Sequence, residues 1–382
     1  MITCKDILTL AAAALLFGGC VGIGGGDSVE AVTGATKKLV RTGVYVGQGP
    51  YGSGCCEWVR MLNLAPEVSL TLLDAEAVNN GALDKLDLLV MPGGSSPSIK
   101  RGLGTNGTER IKAFIRKGGG YLGTCAGCCL LMDPVYDPSR GIGVIPFYRS
   151  GSKGQTKLSV KLTPEGQKAL GLSGNLYGLR YSYGPVLEPS TNKFPESKFE
   201  VWGVNNGDFM RPGSKPEMMG RAALIGGTFG KGRVFVTSCH PEYYASTREI
   251  LQGAFKWVTG VTMSQPPRPR SARALTVGFF ADEINSIEAQ RTLLAIENDP
   301  AYDLLPITEG EVLEGKIEHL DVLVFPNGWK YSLGKSVKKS IAGFMERGGK
   351  SFAWGTGNAA LPKGGVACES AEEVLRKLKK VR

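Results

Sequence analysis

Gly120-Tyr121-Leu122-Gly123-Thr124-Cys125-Ala126-Gly127 reads as a buried strand running into a Gly-x-Cys-x-Gly turn. A turn from strand into helix this sharp pushes its central side chain outward, and glycine on either side leaves the room it needs. Cys125 is therefore the candidate nucleophile. Upstream, Gly118 to Gly120 end an amphipathic helix carrying Ile111, Phe114 and Ile115, for which Asn106 is the expected N-cap with Glu109 three residues on. Before that helix, Leu86-Asp87-Leu88-Leu89-Val90-Met91 is a nearly continuous apolar run that stops at Pro92-Gly93-Gly94. Such runs are expected of strands covered by helices on both faces. Residues 39–46 and 68–73 read as two earlier strands, with a helix through 56–64 between them. Strands and helices alternating in this way predict a doubly wound, flavodoxin-like α/β fold with a mostly parallel sheet, whose sites lie outside the carboxyl ends of the strands. Gly93-Gly94 and Cys125 both stand at such ends.

Downstream of the turn the pattern loosens. Residues 144–148, 157–162 and 201–204 read as strands of a partly antiparallel extension, and Arg180-Tyr181-Ser182-Tyr183-Gly184-Pro185 as an aromatic turn. A hairpin of 222–229 and 233–237 leads into Ser238-Cys239-His240-Pro241-Glu242, and a helix over 247–258 closes a domain expected to span 39–262. The proline-rich stretch 263–272 is expected to be an extended linker. Beyond it, 273–382 repeats the opening of the chain. Leu320 to Gly328 mirrors Leu86 to Gly94, and Gly348-Gly349-Lys350-Ser351-Phe352-Ala353-Trp354-Gly355-Thr356-Gly357 mirrors Gly118 to Gly127. Gly355 stands where Cys125 stood, and His319 precedes the central strand of this copy, so it is a second, smaller α/β half without a nucleophile.

A thiol attacks a carbonyl as thiolate, so it needs a base nearby and a third group to orient that base. Apart from His319, His240 is the only histidine, and Glu242 lies two residues beyond it on the same side of an extended segment. Cys125, His240 and Glu242 are thus a candidate nucleophile, base and orienter. Backbone N–H groups around Gly93, Gly94 and Ala126 are the candidate oxyanion donors. Tyr181, Tyr183 and Gly184 are candidates for substrate contact, against the plainer possibility that the two tyrosines close the core. Cys125, Cys239 and His240 match no zinc spacing, so no metal and no cofactor is expected.

At 382 residues with 42% hydrophobic composition, the chain is long enough for two cores. Its formal charge of +10 is scattered, with no basic stripe studded with aromatics, which argues against a nucleic-acid partner. Residues 1–20 read as an export signal. Lys5 precedes a short apolar run too brief to span a bilayer, and Gly18-Gly19-Cys20 resembles a bacterial lipobox whose cysteine becomes lipidated. The expectation is an exported protein held to the membrane through Cys20, with 21–38 as a glycine-rich tether; a plain cleaved signal is the alternative. Setting Cys4 and Cys20 aside, the odd number of remaining cysteines and the vicinal pairs Cys55-Cys56 and Cys128-Cys129 fit free thiols at least as well as a disulfide framework.

The Pro-Gly-Gly after a central strand, Gly-Thr-Cys-Ala-Gly and the late His-Pro-Glu resemble the class I glutamine amidotransferase superfamily. With Val44-Tyr45-Val46-Gly47, Met91-Pro92-Gly93-Gly94 and Tyr181-Ser182-Tyr183-Gly184-Pro185, the chain from 39 to 260 is similar to the N-terminal domain of eukaryotic biotin-protein ligases and their stand-alone bacterial relatives. The resemblance implies the glutamine amidotransferase-like fold and a Cys-His-Glu triad. In that family the domain accompanies a ligase, whose motifs are absent here; Gly230-Lys231-Gly232-Arg233 is a hairpin turn. The leading expectation is a cysteine hydrolase or amidase acting on a small-molecule or peptide amide or ester. The alternatives are a binding or scaffold module that kept the pocket, and thiol redox chemistry at Cys128, Cys129 and Cys239.

Overall fold

The structure, a computed structural model, describes residues 39–151, 154–209, 217–282, 284, 286–328 and 333–381. The export signal, Cys20 and the tether lie outside the described residues.

The first half opens with β1 (Val40–Tyr45), α1 (Ser53–Leu64), β2 (Val68–Leu73), α2 (Ala75–Asn79), β3 (Leu88–Met91), α3 (Ser96–Lys117), β4 (Gly120–Thr124) and α4 (Ala126–Leu131). β3 and β4 are buried at every position and β1 at all but one, which is why their sequences run apolar instead of alternating. The extension follows with β5 (Phe147–Gly151), β6 (Gln155–Leu162), α5 (Pro164–Leu170), β7 (Leu176–Ser182), β8 (Val186–Pro189) and β9 (Ser197–Asn205). The hairpin β10 (Ala222–Phe229) and β11 (Gly232–Thr237) and the helix α6 (Arg248–Thr259) complete this half. Its sheet runs β2-β1-β3-β4-β11-β10-β9-β6-β7, parallel as far as β11 and antiparallel beyond, with β5 and β8 joined beside β10. β6 and β7 alternate in burial, as antiparallel strands with one wet face do.

One pairing decides where the chemistry can lie. The hairpin returns β11 parallel to β4, with Val234 opposite Tyr121 and Thr237 opposite Thr124. Both strands therefore end at the same level, and the residues that follow them, Cys125 and 238–242, meet at the carboxyl ends of these central strands.

Two local expectations are corrected. α3 starts earlier than Asn106: Ser95 caps it by accepting from Ser98 N, and Gly104, at φ 64°, breaks it. Asn106 lies after that break and donates its side-chain amide to Asn79 Oδ1 at 2.8 Å. Residues 180–182 belong to the end of β7, so the aromatic turn is confined to Tyr183-Gly184-Pro185.

The second half contains β12 (Leu275–Phe280), α7 (Ile287–Asn298), β13 (Tyr302–Ile307), α8 (Glu309–Leu313), β14 (Val322–Phe325), α9 (Lys335–Glu346), β15 (Lys350–Trp354), β16 (Val366–Cys368) and α10 (Ala371–Leu378). Its all-parallel order β13-β12-β14-β15-β16 repeats β2-β1-β3-β4 and adds an edge strand.

The described residues form one compact unit. α1 of the first half packs on its counterpart α7, and a single core runs across the seam, with Cys55, Val59 and Leu62 meeting Ala289, Leu293 and Ile296. The proline-rich stretch is extended yet fastened on both sides. Ser264 bonds to Glu67, Gln265 Nε2 donates to Met61 O at 2.9 Å, and Arg268 pairs with Glu297.

Candidate functional site

Cys125 sits between β4 and α4 at φ 50°, ψ −101°. A left-handed conformation on a non-glycine residue is strained and persists only where its surroundings enforce it. Here Cys125 N donates to Thr237 O at 2.8 Å, and its carbonyl accepts from Cys129 N at 3.1 Å. The residue is 7% exposed, and its thiol donates to Ser182 O at 3.7 Å.

His240 is held by its own backbone. It forms a bridge with Arg180 at the end of β7, donating its N–H to Arg180 O at 2.8 Å, so the antiparallel extension sets the height of the imidazole. His240 Nδ1 lies 2.8 Å from Glu242 Oε1. Glu242 is fully buried, and that same oxygen accepts from Thr124 Oγ1 at 3.2 Å, while Trp58 Nε1 donates to Thr124 Oγ1 at 3.2 Å. Burial by itself lowers the pKa of His240, but the charge of Glu242, followed by contact with Cys125, outweighs it and pushes the imidazole up to about 10. His240 is therefore a cation at neutral pH, facing the thiol.

Gly93 contributes clearance. A Cβ there would come within 2.5 Å of His240 Cε1 and 3.4 Å of Cys125 Cβ, so any side chain would enter the site. Gly94 lines the pocket above Cys125. The second half indicates where the amides of Gly94 and Ala126 lead. By the repeat, Asn327, Gly328, Gly355 and Thr356 stand for Gly93, Gly94, Cys125 and Ala126. Gly355 has φ 55°, close to that of Cys125. Gly328 N and Thr356 N both donate to one oxygen, Asn327 Oδ1, at 3.0 and 3.2 Å. The turn thus aims two amides at a single point, and in the second half an asparagine fills that point. A Cβ on Gly355 would collide with the same oxygen, so this copy has no room for a nucleophile.

The remaining candidates separate. Tyr183 lines the pocket, 56% exposed and at φ 52°. Tyr181 is fully buried, donating its hydroxyl to Gly184 O at 2.6 Å, and it closes the core beneath the turn instead of reaching the pocket. Gly184 presses against Ser238 O, a packing contact behind the histidine segment. Cys128, Cys129 and Cys239 are buried free thiols; burial drives Cys128 well above the ordinary thiol value and Cys129 and Cys239 up to about 12. Among the described residues no group of three or more His, Cys, Asp or Glu side chains is placed to hold a metal. Thr124 and Trp58, which steady Glu242, were not singled out by sequence reasoning. Thr124 has a sequence signal as the residue before the nucleophile, whereas Trp58 reads simply as core.

Residues 41–130 match the family model described as "Biotin-protein ligase, N terminal", a stretch that runs from β1 through the Cys125 turn into α4. Over 54 residues the chain is 46% identical to pyridoxal 5'-phosphate synthase subunit PdxT of Haemophilus ducreyi, a match covering 14% of this chain and 27% of the length of that relative. Solved structures similar to this one include a ThuA-like protein from Parabacteroides merdae, 11% identical with TM-score 0.42 over 61% of this chain and 94% of that one. Another ThuA-like protein, from Bacteroides uniformis, is 12% identical with TM-score 0.43 over 59% and 93%. The beta-galactosidase of Rahnella sp. R3 is 17% identical with TM-score 0.39 over 57% and 31%.

Proposed function

We propose that the protein is a cysteine hydrolase or amidase of glutamine amidotransferase-like type, acting on an amide or ester carbonyl of a small molecule or peptide. The observation that carries this is a strained cysteine facing a histidine whose Nδ1 lies 2.8 Å from a fully buried carboxylate. The Cys125 sulfur attacks the carbonyl carbon, and the oxygen takes the electron pair of the C=O bond, pointing at the N–H groups of Gly94 and Ala126. Losing one such donor removes about 2.7–4 kcal/mol of transition-state stabilisation. As the tetrahedral intermediate collapses, the amine or alcohol departs with the proton held by His240, leaving a thioester on Cys125. Water then attacks the thioester, His240 taking its proton, and the acid leaves as the cysteine and imidazolium are restored. Glu242 holds the ring through Nδ1 and leaves Nε2 for the proton traffic. The buried state of Cys128, Cys129 and Cys239 weighs against redox work.

Alkylation of Cys125 by iodoacetamide, followed by peptide mass mapping across pH, tests the reading. The wild type reacts at neutral pH, and His240→Ala slows it at least about tenfold. A rate that rises only near the ordinary thiol value of about 8.5 and ignores the His240 change overturns it. For location, we propose export with lipidation at Cys20. Radioactive palmitate fed to cells labels the wild type and not Cys20→Ser; equal labelling sinks the anchor.

A further inference from the structure

The pocket over Cys125, about 470 Å³, is not made by the first half alone. Asp282, Thr308, Glu309 and Gly310 of the second half form one of its walls. That wall is fastened at three points. Gly52 N, at the entry to α1, donates to Ala281 O at 3.0 Å. Asp282 Oδ2 accepts from Glu309 N at 2.6 Å, which fixes the start of α8 against the pocket. Tyr243, three residues after the base, donates its hydroxyl to Glu311 Oε1 at 2.7 Å while its ring lies 4.5 Å from the Arg180 guanidinium. The seam between the halves and the mouth of the site are therefore the same place.

Charge divides across this pocket by half. Arg180 and the His240 cation stand on the side of the first half, Asp282 and Glu309 on the side of the second. Among the described residues the Glu309 carboxylate meets only the Gly334 N–H, at 3.5 Å, and Arg180 only Gln155 Oε1, at 3.5 Å, besides the Tyr243 ring. A partly buried carboxylate with no cation paired to it among the described residues favours a ligand that brings one. The two cations on the opposite wall repel such a group and turn it toward Glu309.

We infer that the second half is the specificity wall of this site: with Glu309, it receives an ammonium or guanidinium group of the substrate whose carbonyl Cys125 attacks. The inference rests on the hydrolase reading above for the attack, and on the pocket alone for the charge preference. The second half thereby has a use that does not depend on its own plugged replica of the site.

Three N-substituted chloroacetamides of similar size separate the possibilities: the 3,3-dimethylbutyl amide as the neutral probe, its 2-(trimethylammonio)ethyl isostere as the cation, and the 2-sulfonatoethyl amide as the anion. Their rates at Cys125 in the full chain are each divided by the rate with a free cysteine peptide. The cationic probe gains about tenfold over the neutral one in the wild type, and Glu309→Gln removes most of that ratio. Glu309→Lys reverses it in favour of the anion. A ratio near one in the wild type, or one that Glu309→Gln and Glu309→Lys leave in place, overturns the specificity wall. His240→Ala reports separately: if it slows none of the probes the triad fails, whatever the ratio among them.

Discussion

A histidine beside a buried carboxylate titrates where the field of that carboxylate puts it, and for His240 this leads to a dependence of stability on pH with a definite sign. The folded value of about 10 stands above the ordinary value of about 6.5 expected once the chain unfolds. The folded state therefore binds the proton more tightly, and the contribution is fully present below about pH 6.5 and is lost as pH rises through about 10. The melting temperature of the wild type minus that of His240→Gln is accordingly largest near pH 6 and narrows steadily toward pH 10; a gap that widens with pH contradicts the His240–Glu242 pairing as its source. Gly93 gives a second residue-scale prediction. The second half carries Asn327 at this position, where its carboxamide occupies both amide donors. Gly93→Asn copies that plug into a space already held by His240 Cε1, so it lowers stability by about 1–3 kcal/mol and brings Cys125 alkylation to or below the level of His240→Ala. That Cys125, His240 and Glu242 would come together was legible in the sequence, because all three follow strands that end at the same level of the sheet. Thr124 and Trp58 were not, because a hydroxyl and an indole gain meaning here only from Glu242, which the fold brings to them from far along the chain.

At the scale of elements, the seam between α1 and α7 carries a buried ion network that no local pattern announces. Glu297, with no exposed side-chain surface, pairs with Arg60 at 3.1 Å and with Arg268 of the proline-rich stretch. Arg60 also holds Glu57 at 2.7 Å, and Glu57 holds Arg248 at the start of α6 at 2.5 Å. Removing one partner of such a network leaves charge uncompensated in a poor solvent, so Glu297→Gln lowers stability by about 3–5 kcal/mol. Urea denaturation read by circular dichroism checks it, and a midpoint unchanged from the wild type counts against the network as a structural element. Periodicity placed the helices near these positions but not their ends. α3 shows why: its start is set by the Ser95 side chain and its break by Gly104 at φ 64°, whereas Asn106 offered the better-looking capping sequence. Capping residues compete, and the winner is the one that packing of the neighbouring turn allows.

The strand order of both halves follows from repeated apolar runs ending in glycine, which is why the duplication could be seen in sequence. How the halves join could not, because residues at the seam of two α/β units look like the buried faces of ordinary helices. The expected linker is in fact bound along its length, and the core continues from α1 into α7 and α10 without a gap. A core shared in this way couples the halves energetically, since neither can expose its side of the seam without exposing the other. Leu293, fully buried on α7 in that shared core, is the position at which to test it. Leu293→Ala removes packing worth about 2–5 kcal/mol. Hydrogen exchange followed by mass spectrometry then shows the most protected peptides of both halves, β4 in the first and β14 in the second, losing the same free energy of protection. If β14 alone loses protection, the halves unfold independently, the wall of the Cys125 pocket can open without the rest, and the second half acts as a detachable module. Equal loss makes the second half a permanent part of the site, and its inert replica of the cysteine turn is then kept for the surface it presents and not for chemistry of its own.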